Sequence, residues 1–248
     1  MTELCLETAI PLQSSVLMVG PPGAGKSELA ISLARKWVMN GERTLFVSIS
    51  ASGEEVLARI AVGGGKERSK TGFRVIDCYV PQSSSSEDSR IVNTNGIAHL
   101  ESISLAISTV VDSMGTPVRI IVDGMSSLFL YNAPQTMSKF VQVLSTKSKL
   151  EYGSIMFVVV DGMHESLTMN TMMSLVDGVI DVRMDERLDR FVRFRYLKGR
   201  KVDSRWYRYS LMSEAGSGDV SLMLSEDGKA AGHAHVGHGA KQGQGELA

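Results

Sequence analysis

The chain has 248 residues and a formal net charge of −1. This length allows one large domain or two small ones, and the charge provides no overall attraction to nucleic acid or an acidic membrane surface. The two cysteines, Cys5 and Cys78, have no metal-ligand spacing, so we expect packing roles and no disulfide framework. Acidic residues at the N-terminus and the lack of an apolar run of ~20 residues predict no signal peptide and no membrane span. We therefore expect a soluble cytoplasmic protein.

A glycine-rich octapeptide stands between an apolar run at 16–19 and a helix-forming stretch at 28–34. Its sequence is Gly20-Pro21-Pro22-Gly23-Ala24-Gly25-Lys26-Ser27. Such glycines let the backbone wrap around phosphate oxygens, the lysine supplies a point charge, and the serine hydroxyl can bind Mg²⁺. The strand before it and the helix after it favour a phosphate-binding loop over a plain Gly/Pro-rich turn. We count Glu28, the next residue, among the nucleotide-binding positions.

Alternating apolar patterns predict the elements in chain order. Helices are predicted over 28–39, 52–60, 97–113, 134–151 and 168–176, and strands over 43–49, 73–80, 118–122, 154–160 and 178–182. The alternation predicts an α/β fold with a mostly parallel twisted sheet and helices on both faces. Two more strands, 190–198 and 205–211, are joined by a short turn, which predicts a C-terminal antiparallel β-hairpin.

Three stretches are too polar or too rich in glycine to pack. Residues 63–66 should end the helix before them, and residues 82–89 should form a mobile loop. After residue 213 the chain is rich in Gly, Ser, Ala, His and Gln, so we divide it into a domain at 1–212 and a disordered tail at 213–248. The tail histidines could hold a soft metal, but a solvated tail is the favoured interpretation; they are His233, His235 and His238.

Asp123 directly follows the apolar strand at 118–122. In open α/β sheets ligands bind where the parallel strands end, so its carboxylate should lie beside the phosphate loop. The alternative is an ordinary strand-to-loop cap. We favour a magnesium site formed by Ser27 and Asp123, with ATP and Mg²⁺ as the ligands.

Four segments together resemble the KaiC-like branch of the RecA superfamily of P-loop ATPases, and the similarity runs from Pro11 to Leu211. They are residues 11–27, which hold the loop, residues 118–128, residues 175–180, and the hairpin residues 193–207. The resemblance implies a RecA-like P-loop NTPase fold, ATP as the ligand, and a ring or dimer. It also implies regulation of signalling or motility, as for the archaellum ATP-binding component.

The chain departs from this family at two places. Only residues 11–15 remain of a segment that usually precedes the loop and contacts the adenine. Active relatives carry two glutamates after the second strand to orient the attacking water, and here Ser50 and Ala51 stand there. Glu54 and Glu55 lie about one helical turn further on, where they favour a helix N-terminus. We therefore expect slow or absent hydrolysis.

The resemblance implies two catalytic candidates outside the loop. A Lys-x-Arg-Gly turn in hexameric relatives reaches a neighbouring subunit's γ-phosphate, and only its cation Lys198 is retained here. Asp161 follows the strand at 154–160, whose end normally faces the γ-phosphate, so Asp161 could replace the missing glutamates, as could His164 or Glu165. A plain loop role for these three residues is the alternative.

Basic residues are concentrated in the hairpin. Their alternation with Phe191, Phe194 and Tyr196 favours a solvated strand face, and a subunit interface or a nucleic-acid patch are the alternatives. The basic residues are Arg187, Arg190, Arg193, Arg195, Lys198, Arg200, Lys201, Arg205 and Arg208.

The sequence leaves three functions open. The leading hypothesis is an ATP-binding regulatory switch or assembly module with weak or absent hydrolysis, which forms a homo-oligomer and acts on an unknown protein partner. The second is an active ATPase of the RecA/KaiC type, which includes a DNA-dependent ATPase of recombination or repair. Nucleic acid is not the favoured partner. The third is a small-molecule kinase, which ranks last because residues 82–89, its candidate lid, contain no arginine.

Overall fold

The computed structural model describes residues 6–61, 72–79, 88–94, 96, 98–211 and 220–224. The helices are α1 (Leu6–Ala9), α2 (Lys26–Met39), α3 (Gly53–Ala61), α4 (Leu100–Met114), α5 (Met125–Leu128), α6 (Pro134–Lys147), which continues as a π-helix (Ser148–Tyr152), and α7 (Ser166–Leu175). The strands are β1 (Ser14–Gly20), β2 (Thr44–Ser48), β3 (Phe73–Asp77), β4 (Ile91–Asn93), β5 (Val118–Asp123), β6 (Gly153–Val160), β7 (Gly178–Met184), β8 (Arg190–Leu197), β9 (Tyr207–Leu211) and β10 (Val220–Leu224).

The strands form one sheet in the order β10-β9-β8-β7-β1-β6-β5-β2-β3-β4. Strands β1 to β7 pair with one another in parallel, and β8, β9 and β10 extend the sheet from β7 by antiparallel pairing. The predicted α/β fold, with a mostly parallel sheet and a C-terminal antiparallel hairpin, is confirmed. The loop after β1 therefore lies at the centre of the sheet, at the edge where the parallel strands end.

Helices cover both faces of the sheet because successive side chains of its buried strands point in opposite directions. On β1, Leu17 and Val19 pack in the core formed with α4, α6 and α7. Val16 and Met18 pack on the other face with α2 and α3. All seven residues of β1 are buried, so the loop starts from a rigid central strand.

Three short elements were not predicted: α1, β4 and α5. Each has three or four residues, which is too short for a periodic apolar pattern to develop. Val220–Leu224 lies in the stretch predicted to be a disordered tail and pairs with β9 as the tenth strand. The rest of that tail falls outside the described residues, so its disorder stays a prediction. This five-residue run is rich in β-forming apolar residues, and β9 offers it an edge to pair with.

Several predictions fall on residues outside the described ranges. These are the glycine break at 63–66, most of the loop at 82–89, Cys5 and the three tail histidines. Cys78 is a free, buried cysteine in the core on the α4 side, as predicted. Burial raises the pKa of its thiol to about 11, so the thiol stays protonated at neutral pH.

Candidate functional site

The octapeptide forms a tight turn between β1 and α2. Gly23 and Gly25 have φ angles of 75° and 82°, a left-handed conformation that glycine adopts without a Cβ clash. A Cβ on Gly20 would collide with the carbonyl oxygen of Val182 in the neighbouring strand β7. Each of these three glycines is therefore required by local geometry, and the turn opens directly into the N-terminus of α2, which favours anions.

Lys26 is a buried cation at the first position of α2. Its Nζ donates a hydrogen bond to the carbonyl of Pro21 at 2.7 Å, so the side chain folds back over the loop. Burial lowers the pKa of Lys26, and the nearby carboxylates of Asp123, Asp161 and Glu28 oppose this effect. The loop thus holds a positive charge that would gain from the approach of an anion.

Ser27 and Asp123 meet as the sequence predicts. The Ser27 hydroxyl donates to Oδ1 of Asp123 at 3.0 Å, and Asp123 is the last residue of β5. Burial raises the pKa of this carboxyl, while hydrogen bonds from Ser27 and Ser50 lower it. A hydroxyl and a carboxylate oxygen are hard ligands that suit Mg²⁺, whose other ligands at such sites are phosphates and waters. The residues present therefore fit a magnesium ion.

The chain that follows β2 lies against the Asp123 carboxylate, and neither residue 50 nor residue 51 is acidic. The Ser50 hydroxyl is 3.3 Å from Oδ2 of Asp123, and Ala51 packs against the core on the α2 side. Ser52 caps α3 by accepting the Glu55 N–H at 3.2 Å, and Glu55 pairs with Arg59 at 3.7 Å. The helix-stabilising role predicted for the α3 acids is confirmed for Glu55.

Asp161 lies beside the phosphate loop. Its N–H donates to the carbonyl of Gly20 at 2.8 Å, and its exposed carboxylate accepts the Gly162 N–H at 3.0 Å. The charge of Asp161 acts on Lys26, which places the two groups in one electrostatic neighbourhood. Asp161 is thus the one of the three candidates at this strand end that the structure brings to the loop lysine.

His164 faces a different partner. Its Nε2 is 3.1 Å from the hydroxyl of Ser126, which also accepts the Val160 N–H at 2.9 Å. The imidazole stacks on Phe129 with the ring centroids 4.0 Å apart, and burial lowers the pKa of His164. Glu165 is exposed at the start of α7. These contacts give His164 a packing role between β6 and α5.

Lys198 is not brought to the loop of its own chain. Its Nζ donates to the carbonyls of Val176 at 2.6 Å and Ser174 at 3.1 Å, at the end of α7. The adjacent Leu197 pairs with Gly178, which pairs with Val16 near the start of β1, whereas the loop follows its end. The predicted action of Lys198 on a neighbouring chain stays a prediction.

The side chain of Glu28 is exposed and lies 4.0 Å from Arg59 of α3. Its charge also acts on Lys26 and Asp123, and its backbone belongs to the first turn of α2. The charge and the hydroxyl of the predicted site come from Lys26 and Ser27, the two residues before it.

Many basic side chains of the hairpin are neutralised locally. Arg193 and Arg195 both contact the buried Asp181, at 2.9 and 2.7 Å. Arg205 pairs with Asp203 at 2.5 Å, and Arg208 pairs with Asp189. These ion pairs reduce the positive charge that the sequence predicts for this face of the sheet.

Tyr209 is a site residue that the sequence analysis missed. It lies on β9, is 2% exposed, and its hydroxyl donates to the carbonyl of Ala24 in the phosphate loop. The two residues are 185 positions apart. Its only sequence signal is a large aromatic residue in a strand of the hairpin, which does not indicate what the hydroxyl reaches.

An open cavity of about 1040 Å³ lies at the other edge of the sheet, where the parallel strands begin. Its charged lining includes Arg43, Arg74, Arg119 and Glu42. Arg119 is held by Glu42 and by the Ile10 carbonyl, both at 2.7 Å. The phosphate loop and Asp123 lie outside this cavity, so we assign the candidate site by chemistry and not by cavity size.

Two further observations limit the kinds of site present. In the described ranges, no group of three or more His, Cys, Asp or Glu side chains could hold a metal ion. Across the same residues, no helix is long and apolar enough to cross a bilayer.

Comparison with solved structures supports the fold. The chain is similar to a KaiC-like protein from the hyperthermophilic archaeon Pyrococcus horikoshii OT3, with a TM-score of 0.65 and 16% sequence identity. The match covers 86% of this chain and 90% of that chain. At this identity the likeness shows a KaiC-like RecA fold and nothing finer. The similarity to the archaellum component stays a prediction.

Sequence comparison gives the family. No curated protein matches the sequence. One family profile matches residues 13–182, a range that includes the phosphate loop, Asp123 and Asp161. The chain belongs to this family of unknown function, DUF7504.

Proposed function

We propose that the protein is a regulatory switch or assembly module that binds MgATP and hydrolyses it slowly or not at all. The observation that carries the proposal is the environment of Asp123. One of its carboxylate oxygens accepts the Ser27 hydroxyl at 3.0 Å, and the other faces Ser50 at 3.3 Å. The binding groups are assembled, while the end of β2 offers a hydroxyl where an acid would be needed.

Each loop residue has a defined part in binding. Lys26 would exchange its Pro21 carbonyl acceptor for a phosphate oxygen, and the backbone N–H groups around Gly23 and Gly25 would bind further phosphate oxygens. Ser27 and Asp123 would hold Mg²⁺, which supplies charge neutralisation to the phosphates. The burial of Lys26 and Asp123 strengthens their electrostatic interactions with these ligands.

Residual hydrolysis is the second candidate activity, and Asp161 supports it. Its exposed carboxylate lies beside Gly20 and acts electrostatically on Lys26, so it could orient a water molecule near the terminal phosphate. Ser50 and Ala51 cannot act as bases. We therefore assign any slow turnover to Asp161.

We further propose that ATP controls self-association or the binding of a protein partner in the cytoplasm. Nucleic acid is a weaker candidate because Arg193, Arg195 and Arg208 are paired with acidic side chains. A DNA partner would require binding that weakens steeply as the salt concentration rises.

Titration calorimetry with MgATP tests the binding proposal. We expect one site per chain, and a loss of about 10- to 100-fold in affinity for Lys26→Ala because a charge-assisted contact is removed. Lys36→Ala, at the other end of the same helix, is the matched control and should bind as the wild type does. If the wild-type protein gives no heat with MgATP or MgADP, the proposal is wrong.

A further inference from the structure

Two buried tyrosines on β9 point to the same face of the sheet and have different partners. Tyr207 and Tyr209 are each 2% exposed and belong to the core on the α2 side. The Tyr207 hydroxyl donates to Oδ2 of Asp203 at 2.7 Å, within the connection that precedes its own strand. The Tyr209 hydroxyl instead donates to the carbonyl of Ala24, between the two left-handed glycines of the phosphate loop.

The Ala24 carbonyl belongs to the same peptide unit as the Gly25 N–H. Because this unit is planar and trans, its N–H points opposite to its carbonyl. A bond that holds the Ala24 carbonyl toward Tyr209 therefore fixes the Gly25 N–H in the opposite direction. Other loop carbonyls accept from other groups: that of Gly20 from the Asp161 N–H, that of Pro21 from Lys26, and that of Gly25 from the Leu29 N–H.

We propose that the Tyr209 hydroxyl is a positioning group for the phosphate-binding loop, through which nucleotide occupancy is coupled to the β9–β10 edge of the sheet. Tyr209 pairs with Arg190 of β8 on one side and with Leu222 of β10 on the other. The residue that holds the loop is thus also a backbone partner of the edge strand. This inference rests on the proposed function, because it identifies β9 and β10 as the part of the sheet that would respond to bound nucleotide.

Coupling of this kind is reciprocal. If ordered β9–β10 pairing favours the phosphate-binding form of the loop, then bound nucleotide must stabilise that pairing by the same factor. One buried hydrogen bond to a backbone carbonyl sets the size of the effect at about three- to tenfold.

The test compares Tyr209→Phe with Tyr207→Phe, using MgADP as the probe. Both variants remove one hydrogen-bonded hydroxyl from β9 and keep the ring, and we expect both to unfold at a slightly lower temperature than the wild type. We expect Tyr209→Phe to weaken MgADP binding by about three- to tenfold and Tyr207→Phe to change it by less than about twofold. Equal affinities in the two variants would overturn the positioning role.

Amide hydrogen exchange tests the coupling in the wild-type protein. MgADP should slow exchange in β9 and β10 by about three- to tenfold, with no comparable change in α4 on the opposite face of the sheet. Unchanged exchange in β9 and β10 at saturating MgADP would refute the coupling, even if Tyr209→Phe failed to fold. A wild-type protein that binds no nucleotide would instead overturn the proposed function itself.

Discussion

Ser27 and Asp123 are 96 positions apart, and their side chains are joined by a hydrogen bond of 3.0 Å. The bond joins the start of the helix after the phosphate loop to the end of β5, two strands away from β1 in the sheet. In the proposed function, this contact prepares the hydroxyl and the carboxylate to bind one magnesium ion together. The other oxygen of the same carboxylate faces the Ser50 hydroxyl at 3.3 Å.

Asp123→Asn should weaken the Mg²⁺-dependent binding of ATP without lowering the stability of the protein. Burial raises the pKa of Asp123, so the ionised carboxylate destabilises the folded protein increasingly as the pH rises above the ordinary value of 3.8. At neutral pH the neutral amide should therefore unfold at the same or a higher temperature. It should also lose the part of ATP affinity that depends on Mg²⁺, measured by titration with Mg²⁺ and with EDTA.

Asp181→Asn is the matched control for that variant. Asp181 is also buried at a central strand, but it holds Arg193 and Arg195 instead of facing the loop hydroxyl. We expect it to lower the unfolding free energy by about 1–3 kcal/mol and to leave the Mg²⁺ dependence of ATP affinity unchanged. The account of Asp123 is contradicted if both variants lose stability and both keep their Mg²⁺ dependence.

Restoring an acid at the end of β2 should increase turnover. Ser50→Glu introduces a carboxylate next to Asp123, and Ala51→Glu introduces one at the adjacent position of the chain. A positioned base typically contributes about 10²–10⁴ in rate. We expect at least one variant to release phosphate from MgATP about 10-fold faster or more than the wild type does.

The controls for this gain are Glu54→Gln and Glu55→Gln, which should leave phosphate release unchanged because these acids belong to the first turn of α3. If neither glutamate variant at 50 or 51 is faster than the wild type while both still bind MgATP, the missing base is not what limits hydrolysis.

Asp161→Asn should remove residual hydrolysis. The carboxylate lies beside the loop lysine, so we expect phosphate release to fall about 10-fold or more, with MgATP affinity within about threefold of the wild type. Glu165→Gln, an exposed acid four residues further on, should have no effect. Equal rates for Asp161→Asn and the wild type would exclude Asp161 as the base.

His164 should make stability depend on pH. Burial lowers its pKa below 6.5, so the folded state disfavours the protonated ring, and the unfolding free energy should fall as the pH drops below 6.5. Denaturant unfolding at pH 7.5 and 5.5 measures this loss. It should be smaller in His164→Asn and unchanged in His99→Asn, where the histidine is exposed before α4. A loss of equal size in all three proteins would contradict the role of His164.

The sequence predicted the parts of the site that local patterns determine. The loop at 20–27 and the strand ending at Asp123 follow from short motifs and from the rule that ligands bind where parallel strands end. The place of Ser50 follows only from the resemblance to the KaiC-like branch. The position of Lys198 could not be predicted in this way, because it depends on the register of β8 against β7. That register places Lys198 near the start of β7, at the edge of the sheet opposite the phosphate loop.

Tyr209 and β10 could not be predicted for a related reason. The hydroxyl of Tyr209 reaches Ala24 only because β9 joins the same sheet as β1, three strands away from it. The edge strand Val220–Leu224 lies in a region whose composition predicts disorder, and its pairing depends on a partner strand that composition does not show.

The most direct test of the nucleotide switch measures binding, turnover and assembly on one sample. Wild-type protein is titrated with MgATP while released phosphate and native mass are followed. The account predicts saturation at one nucleotide per chain, a change in native mass, and phosphate release much slower than the exchange of bound nucleotide. Rapid, sustained phosphate release that persists in Asp161→Asn, or no saturable binding of MgATP, would contradict it.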